Sequence, residues 1–453
     1  SPKIGWAEEN PNQWWSNTKK ILIKLIQYSK LKKKKIIALG TTGMLPALVI
    51  LDKNGKVIRN SIQQSDGRTG KQIGQLFNYK IQKWFVKKTK CGVNQQLIAP
   101  KLLWLKQNEK NNFKKIHTIF GSYDFINFKL TGKYSIEHNW ALESGLMDFK
   151  KKKFTSDLVK LGSVKLSMLP KIFPSDHILG NISENLSKEL SLEKNVKVIA
   201  GCADHVVSAF SAGIKKSGDV LLKFGGAGDI LISTEKPLND QRLFLDFHII
   251  PNLFMPNGCM ASTGTMLNWF IKNFLSHSKM PESNIYSYLD KKASQSNILN
   301  NKIIILPYFL GEKTPIHDVH AKGTISGLGL NNTIYDLWIG FLEAVSFGFK
   351  HHLDVLCENN IPINNIFASD GGSSSKLWMQ ITANILQKPI KIYKNIEGSS
   401  LGASFLAAKS VNLYRNWNEI RNLLGECKTV IPQKNLKKHY YNKYKIYLNL
   451  FNL

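Results

Sequence analysis

A chain of 453 residues that is 43% hydrophobic and 21% charged has apolar surface for two domain cores, and no apolar run in it approaches the ~20 residues of a membrane-spanning helix. Five scattered cysteines (Cys91, Cys202, Cys259, Cys357 and Cys427) without a CxxC pattern argue against a disulfide framework or a cysteine zinc site and fit a cytoplasmic protein. The net charge of +30 is carried mainly by lysine and spread along the whole chain, without a zinc-finger or RNP-type pattern, so it describes a solvated surface with a general attraction for anionic ligands.

The first residues, SPKIGWAEENPNQWW, carry neither a basic start with an apolar signal core nor an initiator Met, and the chain is expected to begin inside a longer parent. Residues 13–28 predict an amphipathic helix. The lysine-rich run 30–35 predicts an exposed turn, KIIALG (35–40) and ALVILD (47–52) predict buried strands, and KNGK (53–56) a turn broken at Gly55. Helices follow over LIAPKLLWLKQNE (97–109) and SYDFINFKLTG (122–132), the second ending at Gly132. FKKKKFT (149–155) reads as a charged connector. VKVIAG (196–201) is a strand feeding a helix from Asp204 to Gly213.

After Gly213 the pattern restarts. DVLLKFGGAGDILIS (219–233) predicts a hairpin and CMASTGTMLNWFIKNFL (259–275) a helix. A strand over 302–309, a long helix over 334–356, the strand NIFASDGG (365–372) and the helix KLWMQITANIL (376–386) follow. PIKIYK (389–394) is a short strand and LGASFLAAKSV (401–411) a small-residue helix. Strands alternate with helices in both halves, with a break near 213–216, so the class is α/β with two domains.

The common nucleotide signatures are missing. There is no GxxxxGK[ST], no GxGxxG after a strand and no HExxH, and GEKT (311–314) lacks the upstream glycine of a P-loop. The sequence offers instead glycines at strand–helix junctions. FASDGGSSSKLWMQ turns at Gly371-Gly372 and opens a helix. FGGAGD (224–229) presents backbone amides at a hairpin turn, and ASTGTMLNWF (261–270) puts Gly264 on a helix with Asn268 one turn on. Such turns let a ligand approach the main chain and aim amides at anionic groups, although each alone is also ordinary punctuation. Asp204, in GCADHVVSAFSAG (201–213), is a lone acid among small residues at a fourth junction. An aspartate there caps a helix. With an ordinary carboxylate pKa of about 3.9 it is also an ionised hydrogen-bond acceptor in a roomy place. His205 beside it reads as a packed or hydrogen-bonding neighbour.

Eight stretches occur in order over nearly the whole chain: GTTGMLPALVILD, SDGRT, DFINFKLTG, GCADHVVSAFSAG, FGGAGDILIS, GTMLNWF, DGGSSSKLWMQITANIL and EGSSLGASFLAA. In that set the chain resembles the FGGY carbohydrate kinases, and among them the xylulokinase-like members. The resemblance implies an α/β fold of two actin-like (ribonuclease H-like) domains, residues 1–213 and 214–453, with an interdomain cleft. It implies transfer of the γ-phosphate of ATP, with Mg²⁺, to a hydroxyl of a small-molecule sugar or polyol, a ketopentose or related sugar. Asp204 falls on the catalytic base, which orients the acceptor hydroxyl for in-line attack and takes its proton late. Gly225 and Gly226 fall on the second phosphate loop, Gly264 and Asn268 on the adenosine side, and Gly371, Gly372 and Lys376 beside the nucleotide.

The family pattern is not met everywhere. Gly226 stands where the family usually has Thr, so phosphate contacts there would come from backbone amides. The places of the sugar-reading pair hold Leu45 and Pro46, both apolar, which argues against a glycerol kinase and implies a less polar face toward the acceptor. Asp66 and Arg68 in SDGRT are the next substrate-binding candidates, as hydroxyl acceptor and donor, with an ion pair as the equally weighted alternative. The family's opening strand and loop, which hold the first phosphate and the metal, have no counterpart before GWAEENP; no metal ligand is assigned, and this polypeptide is expected to turn over poorly beside its parent. The expected partners are the sugar and ATP, without nucleic acid or membrane, and a homodimer is the assembly to test. The competing reading is a non-catalytic actin-like nucleotide-binding protein. A nucleic-acid binder, resting on charge alone, would show a steep salt dependence of duplex binding.

Overall fold

In the computed structural model, which describes residues 3, 5–31, 35–275, 284–394 and 398–451, the apolar run at 196–201 forms the strand Lys197–Ile199. It lies between Ile178–Asn181, antiparallel, and Ala38–Leu39, parallel. Chain continuity then sets up a second parallel pair, Thr42–Gly43 with Cys202–Ala203, directly before the helix Asp204–Ser211. The run at 47–52 narrows to Val49–Leu51, fully buried and paired with Thr118–Phe120. The amphipathic helix is Pro11–Leu31, and the lysine run that follows falls partly on residues 32–34, outside the described residues. The helix Ser122–Thr131 stops at Gly132, which takes the left-handed conformation (φ 74°) that glycine adopts without a Cβ clash.

Two predictions at this level change. The charged connector is a small hairpin, Met147–Asp148, which is buried, against the more exposed Lys153–Phe154, because strands of two residues are too short to show a period-two pattern. The helix expected from 259 begins at Gly264, since Cys259 and Met260 end the strand Phe254–Met260.

A helix of small residues, Gly398–Ser410, packs on the helix Asp204–Ser211. The approach is close enough that a Cβ on Gly402 would stand 2.1 Å from the Val207 carbonyl oxygen. This contact draws a distant segment of chain into the N-terminal body. The two compact units are therefore interleaved. One is Ser1–Ser211, Leu245–Asn252 and Glu397–Ile420, and the other is Ala212–Phe244, Leu253–Ile396 and Arg421–Leu453. The expected break lies within two residues of the first crossing, but division into 1–213 and 214–453 misses the two returns. Neither return changes composition or periodicity.

Within the second unit six strands pair in the order Phe254–Met260, Gly228–Ile232, Asp219–Phe224, Asn365–Ser369, Ile390–Tyr393 and Cys427–Val430. The hairpin predicted over 219–233 is the antiparallel pair Asp219–Phe224 and Gly228–Ile232. Parallel pairing of Asp219–Phe224 with Asn365–Ser369 brings the two glycine turns to the same end of the sheet, for Phe224 and Ser369 immediately precede them. The helices Ile334–Glu358 and Lys376–Leu386 pack on each other and supply much of the core. Phe224 packs edge-on against Phe349 and Trp378, each at 5.0 Å between ring centres, and fixes the strand end that carries the turn. Among the described residues, no helix is long and apolar enough to cross a membrane.

Candidate active site

Gly201 enters the first junction at φ 76°, and a Cβ there would stand 2.2 Å from the Thr41 carbonyl oxygen. Only glycine fits, and the turn delivers Asp204 to the first residue of its helix. The Asp204 side chain is 42% exposed. Its Oδ1 accepts the His205 backbone N–H at 2.7 Å, so the carboxylate caps the helix start while facing solvent. One carboxylate oxygen therefore takes up a single helix-start N–H, and the side chain stays open to solvent.

In the second unit the turn after Phe224 is held against the start of the helix Gly264–Phe274. Thr263 N–H and Thr265 N–H donate to the Gly226 carbonyl, Gly264 N–H to that of Gly225, and the Thr263 hydroxyl to Gly225 O at 2.7 Å. Close approach explains Gly264, since a Cβ there would meet the Gly225 carbonyl oxygen at 2.7 Å. Asp370, which opens the other turn, sits at φ 69° and ψ −179°, a region an L-residue enters only when its surroundings impose it. Gly372 is packed under Trp378 and Phe224, with 2.6 and 2.7 Å to a built Cβ, whereas a Cβ on Gly371 would meet no protein atom within 4 Å.

These turns frame a cavity of about 710 Å³. All seven residues expected around the nucleotide (Gly225, Gly226, Gly264, Asn268, Gly371, Gly372 and Lys376) line it. The sequence reading missed Tyr286, Asp290 and Trp338. Asp290 accepts from Trp338 Nε1 at 2.9 Å and from the Ser375 hydroxyl at 2.6 Å, and Ser375 caps the helix Lys376–Leu386 through Trp378 N. Tyr286 O–H donates to Asn268 Oδ1. None of the three belongs to a glycine turn, so no local pattern marked them. A cavity of this volume, apolar with a few polar groups and two glycine turns, suits a nucleotide.

The substrate-binding candidates fare differently. The side chains of Asp66 and Arg68 are both covered and form a two-pronged pair, with Arg68 Nε and Nη2 donating to Asp66 at 2.8 and 2.7 Å. Arg68 also reaches Glu8 at 2.7 Å and stacks over Trp6 at 3.8 Å. Burial opposes ionisation of Asp66, but the Arg68 fork and the Ala7 and Arg68 N–H groups outweigh it and hold its pKa below the ordinary value. A pair enclosed in this way is a structural tie, which favours the ion-pair alternative over the hydroxyl-binding one. Leu45 and Pro46 are buried as well, with the Pro46 carbonyl facing Lys101 Nζ at 3.3 Å. The preceding Met44 is the exposed residue of that loop, 39% accessible.

Comparison with known proteins gives the family. The FGGY family of carbohydrate kinases, N-terminal domain, matches residues 1–211, and its C-terminal domain matches 225–411. The crystal structure of xylulose kinase from Rhodospirillum rubrum superposes with a TM-score of 0.94 at 39% identity, covering 100% of this chain and 91% of that one. The xylulose kinase of Staphylococcus xylosus is 26% identical over 455 residues, covering 100% of this chain and 92% of its own length. The glycerol kinase of Borrelia duttonii is 27% identical over 448 residues, covering 95% and 87%. Two actin-like, ribonuclease H-like α/β domains, matched in order over nearly every residue, place the chain in the FGGY family of carbohydrate kinases.

Proposed function

We propose that this protein phosphorylates one hydroxyl of a ketopentose or closely related polyol, using ATP·Mg²⁺, with Asp204 as the base. The observation that carries the reading is the cavity of the second unit, where seven residues from three separate segments of chain line one space of nucleotide size. The xylulose kinases among its relatives favour a ketopentose. The glycerol kinase of similar identity is the reason that the acceptor is tested across classes.

In this reading the purine side of ATP lies toward Asn268, Tyr286 and Trp338, and the phosphates lie toward the turns at Gly225–Gly226 and Gly371–Gly372. Phosphoryl transfer needs positioning and charge neutralisation more than covalent chemistry. Backbone groups of the turns hold the phosphates in register. Asp204 accepts the acceptor hydroxyl's proton and fixes its direction of approach. Mg²⁺ prefers oxygen ligands and keeps several waters, so it travels with the nucleotide. Asp229 and Asp370, which both face the Lys223 ammonium at 3.6 and 3.9 Å, would be the oxygen donors nearest the turns to hold it, with Lys223 turning to the phosphates. When bound, the ion neutralises phosphate charge.

A coupled ADP assay over pentuloses, hexuloses and polyols tests the reading together with Asp204→Asn. The expected result is turnover with one ketopentose class. Loss of about 10²- to 10⁴-fold in kcat for Asp204→Asn is expected, with ATP binding retained. ATP binding without turnover on any acceptor would favour a nucleotide-binding protein that is not a kinase.

A further inference from the structure

We propose that His205 is a positioning residue for the Asp204 carboxylate, clamped from behind by Asp246 and Glu143. The inference rests on the proposed role of Asp204 as the base. Two groups of His205 address the same oxygen: its backbone N–H lies 2.7 Å and its Nδ1 3.5 Å from Asp204 Oδ1. On the other side of the ring, Nε2 lies 2.7 Å from Asp246 Oδ2. Asp246 is buried, and Glu143, at the end of the helix His138–Glu143, is hydrogen-bonded to it. The helix and the Asp246 strand are locked together by the buried Asn139, whose Oδ1 accepts Phe247 N–H at 2.7 Å and whose Nδ2 donates to Phe247 O at 3.1 Å. The imidazole therefore has one orientation, and so has the carboxylate oxygen it faces.

Three acids meet one imidazole here: Asp204 on its own helix, Asp246 on the strand Phe244–Phe247, and Glu143. Burial lowers the proton affinity of His205, but Asp246, Asp204 and Glu143 outweigh it and hold the ring well above its ordinary pKa. Burial and the Asp246 charge push Glu143 well up, which leaves it a neutral donor toward Asp246. The thiols of Cys91 and Cys202, which also feel Asp246, are kept neutral by burial. The result is a row in which Glu143 donates to Asp246, Asp246 faces a protonated imidazole, and the imidazole faces Asp204. A cation 3.5 Å from Asp204 Oδ1 attracts the carboxylate and holds it in place while a hydroxyl approaches.

Glu143, His205 and Asp246 bring ligand atoms within 4.8 Å of one another, which is also the arrangement of a metal site. The 2.7 Å between His205 Nε2 and Asp246 Oδ2 is a hydrogen-bond length. Two atoms each ~2.0 Å from a tetrahedral zinc ion would stand about 3.3 Å apart. The distance favours a shared proton.

The test is the pH dependence of kcat/KM for the sugar in the full chain and its variants, with melting temperature and ATP affinity as checks on folding. Asp246→Asn and His205→Gln are expected to move the acid limb up by about one pH unit and to lower kcat near neutrality about tenfold, with ATP affinity unchanged. Glu143→Ala is expected to weaken the clamp and lower kcat, and Glu143→Gln, which retains a donor toward Asp246, to restore it. If Asp204→Asn abolishes turnover while Asp246→Asn and His205→Gln keep the parental limb, the positioning role is wrong and the base survives. If Asp204→Asn itself turns over normally, the base reading fails first. A stoichiometric divalent ion in the purified protein, lost on Glu143→Gln, would overturn the proton row in favour of a metal.

Discussion

Adjacent glycines at 371 and 372 are predicted to respond in opposite ways to the same substitution. A Cβ on Gly371 meets no protein atom within 4 Å, so Gly371→Ala leaves the fold alone and projects a methyl group into the space proposed for nucleotide. At Gly372 the new methyl would stand 2.6 Å from the Trp378 ring and 2.7 Å from Phe224 Cβ. Neither neighbour is the loose end of a flexible chain: Trp378 donates its Nε1–H to Leu342 O at 3.0 Å, and Phe224 ends a paired strand. Overpacking of this kind costs about 1–3 kcal/mol, or about 3–10 °C in Tm for a body of some 200 residues. A misfit of ~1–3 kcal/mol in the cavity raises KM for ATP by about 5- to 150-fold. Melting by differential scanning calorimetry and ATP kinetics on both variants make the comparison, and KM for the sugar should stay constant at Gly371→Ala. If Gly371→Ala melts early with an unchanged ATP KM, or Gly372→Ala is silent in both readings, the assignment of this face of the turn is wrong.

The buried Asp66–Arg68 pair should matter for stability and not for acceptor binding: Asp66→Ala leaves the guanidinium buried and is expected to remove about 3–5 kcal/mol in chemical denaturation, whereas a role in the acceptor site would raise the sugar KM in a protein of normal stability. Gly201→Ala forces a Cβ onto the Thr41 carbonyl at positive φ, so soluble yield and turnover should fall together. Glu312 is buried and pushed from 4.5 to about 7, by burial against the opposing Ala261 and Lys313 N–H bonds. The folded state then keeps a proton that the unfolded chain has lost, and its contribution, fully present below pH 4.5, disappears as pH rises to 7. The stability difference between the parent and Glu312→Gln should change by about 3 kcal/mol across that window, and a flat difference would show that Glu312 titrates normally. His352, lowered to about 4 by burial, opposes this trend, because stability gained from its neutral ring rises with pH between 4 and 6.5.

Much of this protein could be read locally. Periodicity placed the helices near Pro11–Leu31, Ile334–Glu358 and Lys376–Leu386 and the hairpin at the Gly225 turn, because each is set by contacts a few residues apart. Glycines at strand ends marked the turns that frame the cavity, since close approach at Gly264 and Gly372 leaves no room for a Cβ. Short parallel strands such as Ala38–Leu39 and Thr42–Gly43 were drawn too long or passed over, for their partners lie some 160 residues away. Asp66 and Arg68 have the chemistry of a hydroxyl-binding pair, and nothing in SDGRT shows that Glu8, Trp6 and the protein interior close over them.

The sequence alone determined the order of elements, the α/β class, the glycine turns and a lone acid at the end of VKVIAG, all of which follow from local backbone preference and apolar spacing. Only the tertiary structure decided that seven residues spread over 152 positions of sequence, from Gly225 to Lys376, line one cavity. It also decided that Asp246 and Glu143 stand behind His205, and that Gly398–Ser410 packs with the N-terminal unit. The reason is that such encounters depend on the register of long-range pairing and on which faces pack, and these are properties of the whole assembled chain, carried by no single stretch of it.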